Sequence, residues 1–145
     1  MSLNEIELKK VMKMFRESPI IRWRNYNDRY RLKGYQCTKC KATFFEKKGF
    51  CTCQSMDFNE IDFSGNGKIV AFTQIHSGPE VFENKSPYCV ALIDLEEGAR
   101  IEAQVMDCKF EELKVGMEVE AVFRKFYSSG EKGVIHYGTK FIPKF

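Results

Sequence analysis

Four cysteines in two tight pairs constrain the first third of the chain. Cys37-Thr38-Lys39-Cys40 is followed, after ten intervening residues, by Cys51-Thr52-Cys53. A C-x-x-C pair beside a turn offers two sulfurs to one tetrahedral ion, and a second pair completes a four-thiolate site of the kind structural zinc uses. The second pair has one residue between its cysteines where two are usual. The spacing predicts zinc on Cys37, Cys40, Cys51 and Cys53. Two other uses of paired thiols compete with it. A redox pair commonly opens a helix in a βαβ setting, but the flanks here are rich in Tyr, Phe and Lys and read as strands. Disulfides suit a secreted chain, but Met1 to Lys13 is charged and periodic, without the apolar stretch of a signal peptide. The expectation is a cytoplasmic protein with reduced cysteines.

A length of 145 residues fits one domain or two small ones, and 43% hydrophobic with 30% charged residues excludes a disordered chain. No apolar run is long enough to span a bilayer as a helix. The net charge of +3 conceals a split. Residues 1–57 carry 13 Lys and Arg against 6 Asp and Glu, whereas residues 58–145 carry 10 against 14. A basic front and an acidic back suggest modules with different partners.

Three segments follow in order: a helix over 1–19, a zinc ribbon over 20–57 and a barrel over 58–145. Ser2-Leu3-Asn4-Glu5 has the form of a capping box. Leu8, Val11, Met12 and Phe15 make one helical stripe, and Ser18-Pro19 ends it. Arg22, Trp23, Arg24, Arg29, Tyr30 and Arg31 then interleave base and ring. Guanidinium groups grip phosphate and aromatic faces stack on bases, so this segment is a candidate ligand-binding stretch. A solvated basic face with its rings turned inward is the plainer alternative. Residues 30–36 read as the strand leading into the first cysteine pair, with Thr43 to Phe45 as its return. Beyond Phe58 the pattern changes. Gly65-Asn66-Gly67 is a turn signal, taken as part of a hairpin. Strands are predicted over Lys68–His76, Tyr88–Leu95, Arg100–Met106, Met117–Phe126 and Gly133–Phe141, with a short helical turn at Phe110–Lys114. Five short strands with a helical piece after the third predict an OB-type Greek-key barrel. The fold class is therefore mainly β.

The chain resembles the acyl-CoA-associated OB-fold family, which carries an N-terminal rubredoxin-like zinc ribbon. The resemblance runs from about Trp23 to Phe145. It rests on Tyr30-x-Leu32-x-Gly34 before Cys37-x-x-Cys40, on Gly65-x-Gly67-Lys68-Ile69-Val70-x-Phe72-Thr73, on Pro87-Tyr88-x-Val90-Ala91-Leu92-Ile93-x-Leu95-x-Glu97-Gly98, and on Val115-Gly116-Met117-x-Val119. The chain departs from the family at Cys51-Thr52-Cys53, where C-x-x-C is usual, and at Glu46-Lys47-Lys48, where prolines often follow Phe45. The resemblance implies a non-catalytic role beside enzymes of acyl-CoA chemistry. It implies a scaffold bridging a thiolase and a hydroxymethylglutaryl-CoA synthase, with acyl-CoA or CoA as a possible ligand.

The residues themselves offer no convincing catalytic set. His76 and His136 sit within or at the end of predicted strands, and Cys89 and Cys108 stand among apolar neighbours, where a buried thiol is common. Gly65-x-Gly67-Lys68 lacks the spacing of a phosphate loop. A four-thiolate zinc has no open position with which to activate water. The alternative to a scaffold is a single-stranded nucleic-acid module, because zinc ribbons and OB-folds both serve that purpose. The net acidic barrel argues against it.

Overall fold

The computed structural model describes residues 20, 31–46, 48–79, 82, 85–128 and 135–144. The helix expected over 1–19 lies outside the described residues, as do Arg22, Trp23, Arg24, Arg29 and Tyr30.

The described chain is built almost wholly of strands. The first sheet holds β1 (Lys33–Cys37), β2 (Thr43–Phe44) and β3 (Phe58–Asp62), antiparallel in the order β2-β1-β3. The remaining strands are β4 (Asn66–Ile75), β5 (Tyr88–Leu95), β6 (Arg100–Val105), β7 (Glu118–Ser128) and β8 (Ile135–Pro143). They close into a barrel in the order β4-β5-β6-β8-β7, with β4 pairing back onto β7. Only the β6–β8 junction is parallel among these pairs, and a 3-10 turn at Phe110–Glu112 lies between β6 and β7. This is the five-stranded OB topology that the strand count predicted.

Alternation explains which side chains fill the barrel. In β5, Cys89, Ala91, Ile93 and Leu95 are buried and the residues between them are half-exposed. That is the period of two expected of a strand with one face in a core. Ile69, Ile93, Val119 and Phe141 are at most 1% exposed and come from β4, β5, β7 and β8. Four strands therefore converge on one apolar centre. β4 must pair with two neighbours, and its register against β5 shifts between Ile69 and Ala71. The extra residue, Val70, bends the strand as a bulge does, which lets one strand serve two sides of a closed barrel.

The Gly65-Asn66-Gly67 signal does not form a hairpin. β3 pairs with β1 and β4 pairs with β5 and β7, so the glycines mark the passage from one sheet to the other. Gly65 has a φ of +83°, and a Cβ there would stand 2.7 Å from the Cβ of Ala121. Both observations favour glycine at that corner.

The two sheets share a seam. Phe63, immediately after β3, is buried in the barrel core, and Phe45 stacks on it at 6.3 Å between ring centroids. Leu32 and Ile61 pack against the same core. The β5–β6 turn adds polar ties. Thr43 Oγ1 donates to the Glu97 carbonyl at 2.7 Å, and the Ser64 N–H donates to Glu97 Oε1 at 2.6 Å. Burial pushes the Glu97 carboxyl up, but the N–H groups of Ser64 and of Glu97 itself hold it below its ordinary value. β1 approaches the seam closely because Gly34 has no side chain. A Cβ at Gly34 would fall on the Phe63 ring and 2.8 Å from the Phe44 carbonyl oxygen. Gly34→Ala should therefore cost about 1–3 kcal/mol through overpacking, read as a lower midpoint in denaturant unfolding. An unchanged midpoint would show that the ring can move aside at no cost.

Candidate metal centre

Each cysteine pair sits on a tight turn. In the first, the Cys37 N–H donates to the Ala42 carbonyl at 2.9 Å and the Lys41 N–H donates back to the Cys37 carbonyl at 3.1 Å. In the second, the Cys51 N–H donates to the Ser55 carbonyl and the Gln54 N–H to the Cys51 carbonyl, both at 2.8 Å. Each turn ends on a residue with left-handed backbone just after its second cysteine, Lys41 at φ 61° and Gln54 at φ 62°. The shorter Cys51-Thr52-Cys53 pair thus reaches the same exit with one residue fewer. The sequence spacing alone did not guarantee that.

The result is a cluster in which the four Sγ atoms lie within 4.8 Å of one another. Cys37 and Cys53 are 3.5 Å apart, and Cys40 and Cys51 are 3.3 Å apart. These separations exceed the ~2.05 Å of a disulfide. An ion with bonds of about 2.3 Å to four tetrahedral sulfurs would set them roughly 3.8 Å apart, inside the observed spread. The backbone suits thiolates as well. The N–H groups of Cys40 and Lys39 point at the Cys37 sulfur, that of Ala42 at Cys40 and that of Cys53 at Cys51.

Without a cation these sulfurs cannot all be charged. The Cys40 amide is the main cause that lowers the Cys37 thiol to about 6. The Ala42 amide lowers Cys40 too, but its neighbours Cys51 and Cys53 push it the other way, up to about 12. A divalent cation bound by all four sulfurs would offset half of their combined charge and so ease that conflict. The residues present therefore fit a metal ion and are compatible with zinc. Cys37 and Cys51 are buried, whereas Cys40 and Cys53 are exposed at the ribbon tip. The tip also carries Phe50 and Met56, which are 72% and 77% exposed.

The other candidate residues are dispersed. Arg31 is exposed at the bend before β1. His136 stacks on Tyr127 with ring centroids 4.0 Å apart, and His76 is exposed just beyond β4. Burial raises the thiols of Cys89 and Cys108, the opposite of what an attacking thiolate needs. An open cleft of about 410 Å³ runs between ribbon and barrel, lined by Leu32, Phe45, Ile101, Phe126, Tyr127 and His136 among others. Its lining belongs to both sheets, so sequence patterning of either one could not reveal it. No helix among the described residues is long and apolar enough to cross a membrane.

Comparison with known proteins agrees with this architecture. The family model described as the ChsH2 C-terminal OB-fold domain matches residues 60–124. A DUF35 domain-containing scaffold protein of Methanocaldococcus jannaschii is 43% identical over 133 residues, covering 90% of this chain and 94% of that protein. The chain belongs to the DUF35 family. This is the OB-fold family that its motifs resembled. A more distant relative of this DUF35 chain is the benzoylsuccinyl-CoA thiolase subunit BbsA of Geobacter metallireducens. It is 35% identical over 74 residues, 51% of this chain and 49% of BbsA. Among solved structures, one chain of the Ltp2-ChsH2(DUF35) aldolase superposes with a TM-score of 0.62 at 25% identity, covering 79% of this DUF35 chain and 85% of that one.

Removing one sulfur tests the centre. Cys40→Ser should abolish retention of a tightly bound metal ion on purification and lower the thermal midpoint, because metal-binding free energy of about 10 kcal/mol or more acts as folding free energy in small ribbons. Metal analysis by mass spectrometry and a melting curve check it; equal metal content in both proteins would refute the assignment.

Proposed function

We propose that this chain is a non-catalytic scaffold that holds enzymes of acyl-CoA chemistry together, with a thiolase and a hydroxymethylglutaryl-CoA synthase as its partners. The observation that carries this reading is the match, over nearly the full length of both chains, to a protein named a scaffold. BbsA, named a benzoylsuccinyl-CoA thiolase subunit, supports acyl-CoA chemistry at the partner, and the Ltp2-ChsH2(DUF35) aldolase supports association with an enzyme. In this reading the metal is zinc on Cys37, Cys40, Cys51 and Cys53, and it is structural. Four thiolates fill a tetrahedral shell and leave no position for water or substrate. The zinc would hold the ribbon tip in shape, and Phe50 and Met56 would present an apolar edge to a partner. Reduced cysteines of this kind suit the cytoplasm.

Bridging also has a chemical rationale. Thiolytic condensation of two acyl-CoA units is uphill, so an adjacent enzyme that consumes the product draws the reaction forward. The basic and aromatic residues Arg22, Trp23, Arg24, Arg29, Tyr30 and Arg31 are proposed to lie near the CoA held by such a partner.

Affinity purification of the tagged chain from its native cells should recover thiolase and synthase subunits in fixed ratio. Phe50→Asp combined with Met56→Asp should reduce that recovery at least about tenfold, as expected for loss of apolar anchors, while leaving metal content unchanged. Recovery of neither enzyme, or turnover of an acyl-CoA by the isolated chain, would overturn the reading.

A further inference from the structure

Lys140 on β8 is 2% exposed, an unusual position for an ammonium group. Strand alternation places it on the side of β8 opposite Phe141, whose ring fills the barrel core. What covers Lys140 is Phe126. The register of β7 against β8 shifts between Lys125 and Tyr127, and the intervening Phe126 lies over Gly138, where a Cβ would collide with its ring. The Lys140 Nζ stands 4.8 Å from the centre of that ring.

An ammonium ion in this position needs an anion, and the described residues supply little. The carboxylate that favours its charge is Asp107, which already pairs with Arg124 at 3.8 Å. Lys85 adds a second positive charge close by, held in place by donating from its Nζ to the Phe126 carbonyl. Burial, and then repulsion from Lys85, push the Lys140 ammonium below its ordinary value. Lys85, Lys125 and Lys140 all line one cleft of about 350 Å³, together with the neutral amides of Gln74 and Gln104. Among the described lining residues, three cations and two amides face a space large enough for several heavy atoms, against a single carboxylate, Asp107.

We propose that this cleft is an anion site that takes the diphosphate group of a nucleotide-type ligand. Lysines serve phosphate as point charges without demanding a planar partner, and amide N–H groups complete the shell. A bound diphosphate would neutralise Lys140 and Lys85 together and remove their mutual repulsion. A carboxylate offers one negative charge to three ammonium groups, and a diphosphate offers more. CoA is the source that the scaffold reading would supply, and to that extent the inference rests on it. The charge arrangement does not.

Calorimetric titration of the full chain with inorganic pyrophosphate, with CoA and with a single-stranded oligonucleotide, at ~0.15 M salt, separates the sources. Pyrophosphate should bind saturably and raise the melting temperature. Lys140→Met and Lys85→Ala should each weaken it at least about tenfold, the loss expected of a charge-assisted hydrogen bond, and cancel the melting shift. Lys85 is exposed, so Lys85→Ala decides the matter if Lys140→Met does not fold. CoA binding weakened by the same changes identifies CoA as the source. Binding of pyrophosphate without CoA keeps the site and assigns it to another diphosphate, and the scaffold reading is then judged by its own affinity purification. Absence of saturable pyrophosphate binding, equal affinity in the variants, or binding of the oligonucleotide alone would overturn the proposal.

Discussion

Four sulfur atoms held within 4.8 Å of one another are the constraint on which the front of this molecule depends. The ribbon sheet has one five-residue strand on either side of the register and a two-residue strand at its edge. Between β1 and the end of the second cysteine turn, the buried residues among those described are Gly34, Cys37, Cys51 and Ser55. That is too little apolar surface to order a sheet against the conformational entropy of its backbone. Two of the four belong to the cysteine cluster, so the interior of the ribbon and the candidate metal centre are largely the same atoms. Hydrogen bonds from backbone amides to the sulfurs orient the thiolates, and a cation would convert their repulsion into cohesion.

The barrel solves a different problem with different means. It has an apolar centre to which four strands contribute a nearly inaccessible side chain, and its edges are removed by closure of β4 onto β7. A closed barrel is a rigid platform. Its seam with the ribbon is apolar at Phe45 and Phe63 and polar at Thr43, Ser64 and Glu97. The two parts are therefore joined at this seam by both apolar and polar contacts. Ser64 and Glu97 are joined across 33 residues, and Thr43 and Glu97 across 54, so the ties form only when both sheets are in place.

Charge shows the same division of labour. The cysteine turns carry exposed Lys39, Lys41 and Lys48, while the barrel sequence is net acidic. Within that acidic sequence, however, the fold gathers Lys85, Lys125 and Lys140 around one cleft. A net charge summed along a sequence says nothing of such local convergence, because the three lysines come from a loop and two strands. The argument that a net acidic barrel disfavours nucleic acid thus describes the average surface and not this cleft.

Much of the architecture was legible in the residues. Paired cysteines announced the ribbon, and apolar alternation with turn residues located the five barrel strands, because both signals are local and periodic. The Gly65–Gly67 segment was read as a hairpin because glycine reports permissive backbone and not the partner across the turn. Lys140 was invisible for a related reason, since one lysine in a strand reads as solvated until its covering ring is known. By itself the sequence determined the fold class, the five barrel strands and the pairing of the four cysteines, all of which follow from neighbours a few residues apart, but it gave no sign of β3 at Phe58–Asp62. Only the tertiary structure decided which strands β3 and β4 join, how the shortened cysteine turn reaches the common centre, and where a lysine is covered by an aromatic ring. Those depend on contacts between residues far apart in the chain, which no local pattern encodes.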